Sequence, residues 1–388
     1  MGVIGLTVVT YKDNFGSALQ TYATQYAIRK LGYDTKVFDM SGIRRSIQMR
    51  KICYYFSRLL SKDEREYVIR NALSKKANWV EESYSKNMRI RHEEYRKFYS
   101  NKLSFFPRAS SWKQLSEQSK ECEAVVVGSD QLWGAANVAA KYFTLEFVPD
   151  TIKKIAYSTS FGTSVLPRQL HAHVKNFINR IDHVSVRETA GQNIIKEITN
   201  RDVSVVCDPT MLLTAEEWME IQDEKPFAEG DYILCYLMGD NPEQRTFIKR
   251  LKEQTNYRII GLLHGSTYIS SDESFADESP YNVGPGEFIN LIRNAKYMCT
   301  DSFHGCVFSI LSNTPFFAFR RERDSSKFST NSRLYTLLSW TGLNDRIITG
   351  DEDVGECSLM DIDWASVNEK VNENRKASFA YLENALSD

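Results

Sequence analysis

The seven cysteines of this chain, at 53, 122, 207, 235, 299, 306 and 357, are odd in number and scattered, with no C-x-x-C pair. That argues against a disulfide framework and for free thiols in a reducing compartment. No Asn-x-Ser/Thr acceptor occurs, and the start, MGVIGLTVVTYKDNFG, has neither the basic leader nor the apolar length of a secretory signal. No apolar run approaches the roughly 18–20 residues that span a bilayer. A cytoplasmic protein is expected. Net charge is only −1, so the whole-protein field gives no reason to expect nucleic acid as a partner. G-x-G-x-x-G, Walker A and G-x-S-x-G sequences are all missing, which removes the nucleotide fingerprints and the nucleophile elbow. Internal repeats and low-complexity segments are absent too.

What remains is an ordinary globular composition, 42% hydrophobic and 26% charged, which excludes disorder. At 388 residues the chain exceeds the usual size of one hydrophobic core, so two domains are expected. VIGLTVVT (3–10) reads as a buried strand, SALQTYATQYAIRKLG as a helix stopped at Gly32, and DTKVFDM as a second strand. This βαβ opening starts a parallel, doubly wound sheet. The grammar resumes at EAVVVGSDQLW (123–133), KKIAYSTSFGTS (153–164), HVSVRE (183–188) and DVSVVCDPTMLL (202–213). An acidic stretch with Pro226 and Gly230 at 214–231 suggests a boundary, and a second α/β unit begins at YILCYLMG (232–239). It continues through YRIIGLL, KYMCT and PFFAF, then helices over 332–340 and from about 364. The expected division is 1–225, 226–350 and a tail at 351–388, with a basic helical insert at about 43–100.

Ligands of open α/β sheets gather at the carboxyl ends of strands, so four polar strand ends are candidates for the site. In Asn14-Phe15-Gly16-Ser17, Gly16 permits a tight turn and Ser17 a helix cap beside amides that favour an anion; taken alone, these residues read more readily as a plain capped βα turn. In Ser129-Asp130-Gln131-Leu132-Trp133, the carboxylate suits sugar hydroxyls and the indole a sugar ring, unless Trp133 anchors the loop from inside. Arg187 in SVRE can face the cleft as a fork for carboxylate or phosphate, or pair internally with Glu188 or Asp208. Asp301-Ser302-Phe303-His304-Gly305 places one of only six histidines where strand turns to helix. There it can hold or release a proton near neutral pH, or serve as a structural cap. No second His or Cys follows at helical spacing, so a metal is not expected.

As an ordered set, NFGSALQTYA, GSDQLW, YSTSFG, VSVRE, CDPTMLL and DSFHGCVFSILSNTPFFAF resemble the polysaccharide pyruvyl transferase family over roughly residues 1–330. The resemblance implies an α/β fold of two Rossmann-like doubly wound domains facing a cleft, GT-B-like. It implies transfer of pyruvate from phosphoenolpyruvate to two hydroxyls of one sugar, with a cyclic ketal formed, phosphate released and no cofactor. On this reading His304 transfers a proton, with Asp130 or Asp301 orienting or relaying. Asn14, Gly16, Ser17, Ser129, Trp133, Ser160, Arg187, Ser302, Gly305 and Arg333 are the candidate binding residues. The acceptor is a galactose-like or other hexose on a lipid-linked surface glycan. Relatives often carry an arginine two residues before the histidine. Here that residue is Ser302, so either Ser302 and nearby amides bind the donor, or Arg320, Arg321 or Arg333 supplies the charge.

The insert departs from the rest of the chain. Residues 41–100 hold 15 Lys/Arg against 7 Asp/Glu. From Met49 onward, Met49, Ile52, Tyr55, Phe56, Leu59 and Leu60 share one helical side and Arg44, Arg50, Lys51, Arg58 and Lys62 the other. That pattern suits an interfacial helix at the inner membrane face, contacting lipid through residues 43–62, or a helix packed on its own domain with a solvated basic face.

Overall fold

The computed structural model describes residues 2–10, 13–58, 82–263, 269–272, 274–321, 331–358 and 361–388. Its first sheet contains β1 (Val3–Thr7), β2 (Asp34–Val37), β3 (Ala124–Val127), β4 (Lys153–Thr159), β5 (His183–Val186) and β6 (Ser204–Val205). The second contains β7 (Tyr232–Tyr236), β8 (Arg258–Gly261), β9 (Tyr297–Thr300), β10 (Phe316–Phe319) and β11 (Ile347–Ile348). Every pairing is parallel, which requires crossovers on the sheet faces and accounts for strands as continuously apolar as AVVV and FFAF. The order β2-β1-β3-β4-β5-β6 in one sheet recurs as β8-β7-β9-β10-β11 in the other. Both are doubly wound, and each reverses direction beside its first strand, where a crevice opens. This is the two-domain, GT-B-like arrangement expected.

The helices that bear on the site are α1 (Phe15–Lys30), α2 (Arg44–Arg58), α3 (Glu82–Lys102), α4 (Thr189–Thr199), α5 (Pro285–Asn294), α6 (Phe303–Leu311), α7 (Ser332–Thr341) and α8 (Trp364–Ser387). Each sheet has its own outer core, but the largest apolar cluster is shared by both units. Within it Phe15 of α1 stacks on Phe288 of α5 at 4.4 Å, and Tyr95 of α3 stacks on Phe15 at 5.5 Å. Arg91 of α3 is buried, and its guanidinium donates to the carbonyls of Leu263 and Pro280 in the second unit. This part of the insert therefore straps the two units together.

The stretch between the units is itself packed: Trp218 is buried between Tyr22 and Phe308, behind a capping box of Thr214 and Glu217. The C-terminal helix is packed as well. Helix α8 returns to the first unit, where Ser378 accepts the Cys207 amide and the Arg375 guanidinium donates to the Met211 carbonyl.

Helix α2 departs from the pattern read in the sequence. Arg50 lies over the Trp112 ring and donates to the Ala140 carbonyl, and Arg58 is buried against Tyr54. The long stems of these cations pack inward while Met49, Ile52 and Phe56 face outward. Leu59, Leu60 and Lys62, read as parts of the same helix, lie outside the described residues.

Candidate functional site

The start of α1 and the ends of β5 and β6 in one unit meet the turn after β9 in the other. After β3, Gly128 takes φ +130, where a Cβ would lie 1.9 Å from the Tyr157 carbonyl oxygen, so only glycine fits. Asp130 follows at φ +86, a conformation that costs a non-glycine residue about 1–3 kcal/mol and is tolerated where the surroundings enforce it. Its Oδ2 accepts from Ser17 Oγ at 2.7 Å and its Oδ1 from the Gln131 amide at 2.8 Å.

Asp208, after β6, lies deeper, with no exposed side chain. Oδ2 accepts from Arg187 Nη1 (2.7 Å) and Ser129 Oγ (3.0 Å), and Oδ1 from the amide and hydroxyl of Thr210. Arg187 reaches both carboxylates, with Nη2 3.7 Å from Asp130 Oδ1, while its guanidinium lies 4.5 Å over the Phe303 ring.

His304 enters this network from the second unit, in the first turn of α6. Its Nε2 is 3.6 Å from Asp208 Oδ1, and its ring lies against the backbone of Gly16. A Cβ on Gly16 would stand 2.0 Å from His304 Nδ1. The glycine read as a turn residue is in fact the floor under the imidazole, inside α1.

Burial pushes the Asp208 carboxyl up, but His304, Arg187 and Thr210 outweigh it and hold the group well below the usual range. Asp130 shows the same contest, ending at about 2 through Arg187, His304 and Ser17. Burial raises Glu188, at the start of α4, against the pull of Arg187, Arg333 and Ser160. Burial, Arg187 and Arg321 together push the Arg333 guanidinium down to about 9. The site thus combines ionised carboxylates with a buried Arg333 guanidinium destabilised by Arg187 and Arg321. Among the described residues several of its buried polar atoms find no hydrogen-bond partner: Arg187 Nε and Nη2, Glu188 Oε2, His304 Nε2 and Arg321 Nε.

The structure brings Ser17, Asp130, Arg187, His304 and Arg333 into one electrostatic network, and it corrects the roles of other expected residues. Asn14, not Ser17, caps α1, because Asn14 Oδ1 accepts the Ser17 amide while the Ser17 hydroxyl crosses to Asp130. Trp133 is fully buried, donates to the Phe143 carbonyl and packs on Phe161 and Phe177, so it is the internal anchor and no sugar platform. Ser129 and Ser160 are fully buried behind the site, supporting Asp208 and Glu188. Asp301 is no free relay: its two oxygens accept the amides of Met238 (2.7 Å) and Gly239 (2.9 Å). Ser302 opens α6 without a side-chain cap bond. Gly305 packs on β9, where a Cβ would meet Thr300 Oγ1 at 2.6 Å, and contributes spacing instead of a ligand contact.

Two members of the network were read only as partners for Arg187. Asp208 faces His304 directly, and its signal was the Asp-Pro that ends a strand in CDPTMLL. Glu188 is the other. Among the described residues no group of three or more His, Cys, Asp or Glu side chains is placed to hold a metal ion, and no helix is long and apolar enough to cross a membrane.

The structure is similar to the UDP-GlcNAc 2-epimerase of Methanocaldococcus jannaschii in complex with UDP-GlcNAc and UDP, at 14% identity over 96% of this chain and 93% of that one, with a TM-score of 0.46. It is similar also to the UDP-GlcNAc 2-epimerase of Neisseria meningitidis bound to UDP-GlcNAc, at 9% identity over 100% and 98% of the two chains, TM-score 0.47. The glycosyltransferase SnogD of Streptomyces nogalater gives 11% identity over 98% and 95%, TM-score 0.44. No curated protein matches the sequence. Residues 14–323, which span the site from the Asn14 cap through His304 to Arg321, match the family described as polysaccharide pyruvyl transferase, and the chain belongs to that family of transferases.

Proposed function

We propose that the chain moves pyruvate from phosphoenolpyruvate onto two hydroxyls of one hexose, galactose-like or another, in a lipid-linked bacterial surface glycan such as a capsule or exopolysaccharide precursor. One observation carries the reading: a histidine set against two ionised carboxylates, Asp208 and Asp130, beside an Arg333 guanidinium pushed down by burial and by Arg187 and Arg321. The donor brings a phosphate and a carboxylate, and these anions offset the repulsion that Arg333 meets from Arg187 and Arg321. With Ser302 in place of a family arginine, Arg321 and Arg333 supply that charge from the strand end after β10 and the start of α7.

In the reaction a proton adds to the methylene carbon, and the neighbouring carbon becomes an oxocarbenium-like centre. One sugar oxygen bonds to that carbon and loses its proton. The carbon–phosphate oxygen bond then breaks, and phosphate departs with the electron pair and a proton. The second sugar oxygen closes the ketal and loses its proton. His304, whose ring lies between the Asp208 carboxylate and the Gly16 backbone, is the proton carrier. Asp130, whose side chain keeps 21% exposure, receives hydrogen bonds from the acceptor hydroxyls.

The test is phosphate release from phosphoenolpyruvate with lipid-linked and aryl galactosides, glucosides and mannosides, with product mass followed. A product heavier by one pyruvate ketal, lost in His304→Ala, supports the reading. Turnover of a sugar nucleotide with release of its nucleoside diphosphate would replace it with glycosyl transfer. Glycan binding unaffected by His304→Ala, with no turnover of either donor, would make the chain a binding protein.

A further inference from the structure

The family match ends at residue 323, yet helix α8 (Trp364–Ser387), which lies beyond it, holds the turn that carries Asp208. Asp208 stands between residues whose backbone groups are committed to that helix. On one side the Cys207 amide donates to Ser378 Oγ at 2.9 Å. On the other, Arg375 Nε donates to the Met211 carbonyl at 2.7 Å and Nη2 to the Leu213 carbonyl at 3.3 Å. Cys207, Met211 and Leu213 are buried, so a lost partner costs more here than at the surface. The same helix also reaches the second unit. A Cβ on Gly342, the residue that ends α7, would stand 2.5 Å from Lys370 Nζ.

We propose that Arg375 is a positioning residue of the site: together with Ser378 it fixes the turn so that Asp208 faces His304. The two oxygens of Asp208 are held from different places. Oδ2 is tied to Arg187 and Ser129, which lie on other strand ends, whereas Oδ1 is tied to Thr210, which rides on the turn itself. A shift of the turn therefore pivots the carboxylate about Oδ2 and moves Oδ1, the oxygen 3.6 Å from His304 Nε2. A misplacement near 1 Å costs about 10²-fold in rate even when its origin lies far from the reacting atoms. The competing reading makes α8 a brace that adds stability and nothing else. The effect on turnover rests on pyruvyl transfer; the placement of Asp208 against His304 does not.

Arg375→Gln and Arg375→Lys are made in the full chain, with Val367→Ala as a control. Val367 is buried about two turns earlier on α8, outside the bonds to the turn. In Arg375→Gln, kcat for phosphate release from phosphoenolpyruvate is expected to fall about 10–100-fold with KM nearly unchanged. Arg375→Lys, a point charge without the fork, should recover part of the loss. Val367→Ala should lower the melting temperature and keep kcat. In protein carrying isotope-labelled histidine, the His304 ring signals, assigned by their loss in His304→Ala, should shift in Arg375→Gln and stay in place in Val367→Ala. If Arg375→Gln does not fold, Ser378→Ala takes its place in both measurements. Unchanged kcat in an active enzyme, or His304 signals that do not move, would overturn the proposal and leave α8 a brace. If the parent releases no phosphate, pyruvyl transfer fails and the histidine spectra alone decide the role of Arg375.

Discussion

The two sheets share one strand order, yet their crevices are furnished differently. In the first unit the strand ends carry charged side chains bonded to one another: Asp130 to Ser17, Asp208 to Arg187, Ser129 and Thr210, and Glu188 to Ser160. In the second unit the corresponding turn is held by backbone. Asp301 grips the amides of Met238 and Gly239, and the turn delivers a single titratable group, His304, across the interface. One crevice is a charged socket, and the other is an arm holding the histidine proposed to carry the proton. The division predicts that damage to the socket costs stability and activity together, while damage to the arm's tip costs activity alone.

The largest expected effect tests the tip. His304→Ala should lower phosphate release by about 10²–10⁴-fold, the range for one positioned acid–base group, with a melting temperature close to the parent's. A variant that loses stability in proportion to activity would make the histidine a structural plug and undo the contrast. Next comes the socket. Asp208→Asn leaves Arg187 buried beside a neutral amide, and breaking such a pair costs about 3–5 kcal/mol. Urea unfolding should register that loss alongside lost turnover. Stability within error of the parent would mean that Arg187 finds its counter-charge elsewhere, in Asp130 or Glu188.

Gly16→Ala sharpens the contrast, because it adds one methyl where the two crevices touch. The Cβ would stand 2.0 Å from His304 Nδ1, so the ring must move or tilt. A displacement near 1 Å at a catalytic group costs on the order of 10²-fold in rate. The expected result is a fall in kcat larger than any change in melting temperature. Unaltered kcat would show that the ring has room to shift and that the glycine serves only the helix.

The sheets were readable in the sequence because strands buried on both faces run continuously apolar and stop at polar residues, as VVVGSD and YMCTDS do. Those stops also located most of the site. Its wiring was not readable, since it depends on contacts far apart in the chain. Asp301 looks catalytic until the amides 63 and 62 residues upstream are seen to occupy it. Asp208 looks like a turn residue until the second unit brings His304 to it. Trp133 reads either way, because an indole beside polar residues lines a pocket or plugs a core with the same sequence. On α2 the pattern gave the helix but not the direction of its faces. Arginine stems are apolar enough to pack inward, and that leaves the hydrophobic stripe outside.

The smallest effect, and the finest test of the contrast, lies in acid. Asp130 and Asp208 both titrate lower in the folded chain than the roughly 3.9 of a free aspartate, Asp130 near 2 and Asp208 lower still. A depressed carboxyl contributes its full stabilisation above the unfolded value and loses it as pH falls toward the folded one. Both terms should therefore be intact at pH 5 and drain away from about pH 4 downward, past pH 2, as the unfolded chain binds protons that the native chain refuses. Glu188, raised by burial, works in the opposite direction: it favours the native state when protonated, so it offsets part of the loss as pH falls below its folded value. Urea unfolding at intervals from pH 5 to 2 should show a shallower decline in Asp130→Asn than in the parent, by up to one proton's worth of slope. Asp301→Asn, in the backbone-held crevice, should lower stability by about 1–2 kcal/mol at pH 7, because an amide nitrogen cannot accept one of the two backbone N–H groups. If the acid limb of Asp130→Asn falls as steeply as the parent's, the Asp130 charge adds nothing to the socket and the division between socket and arm fails.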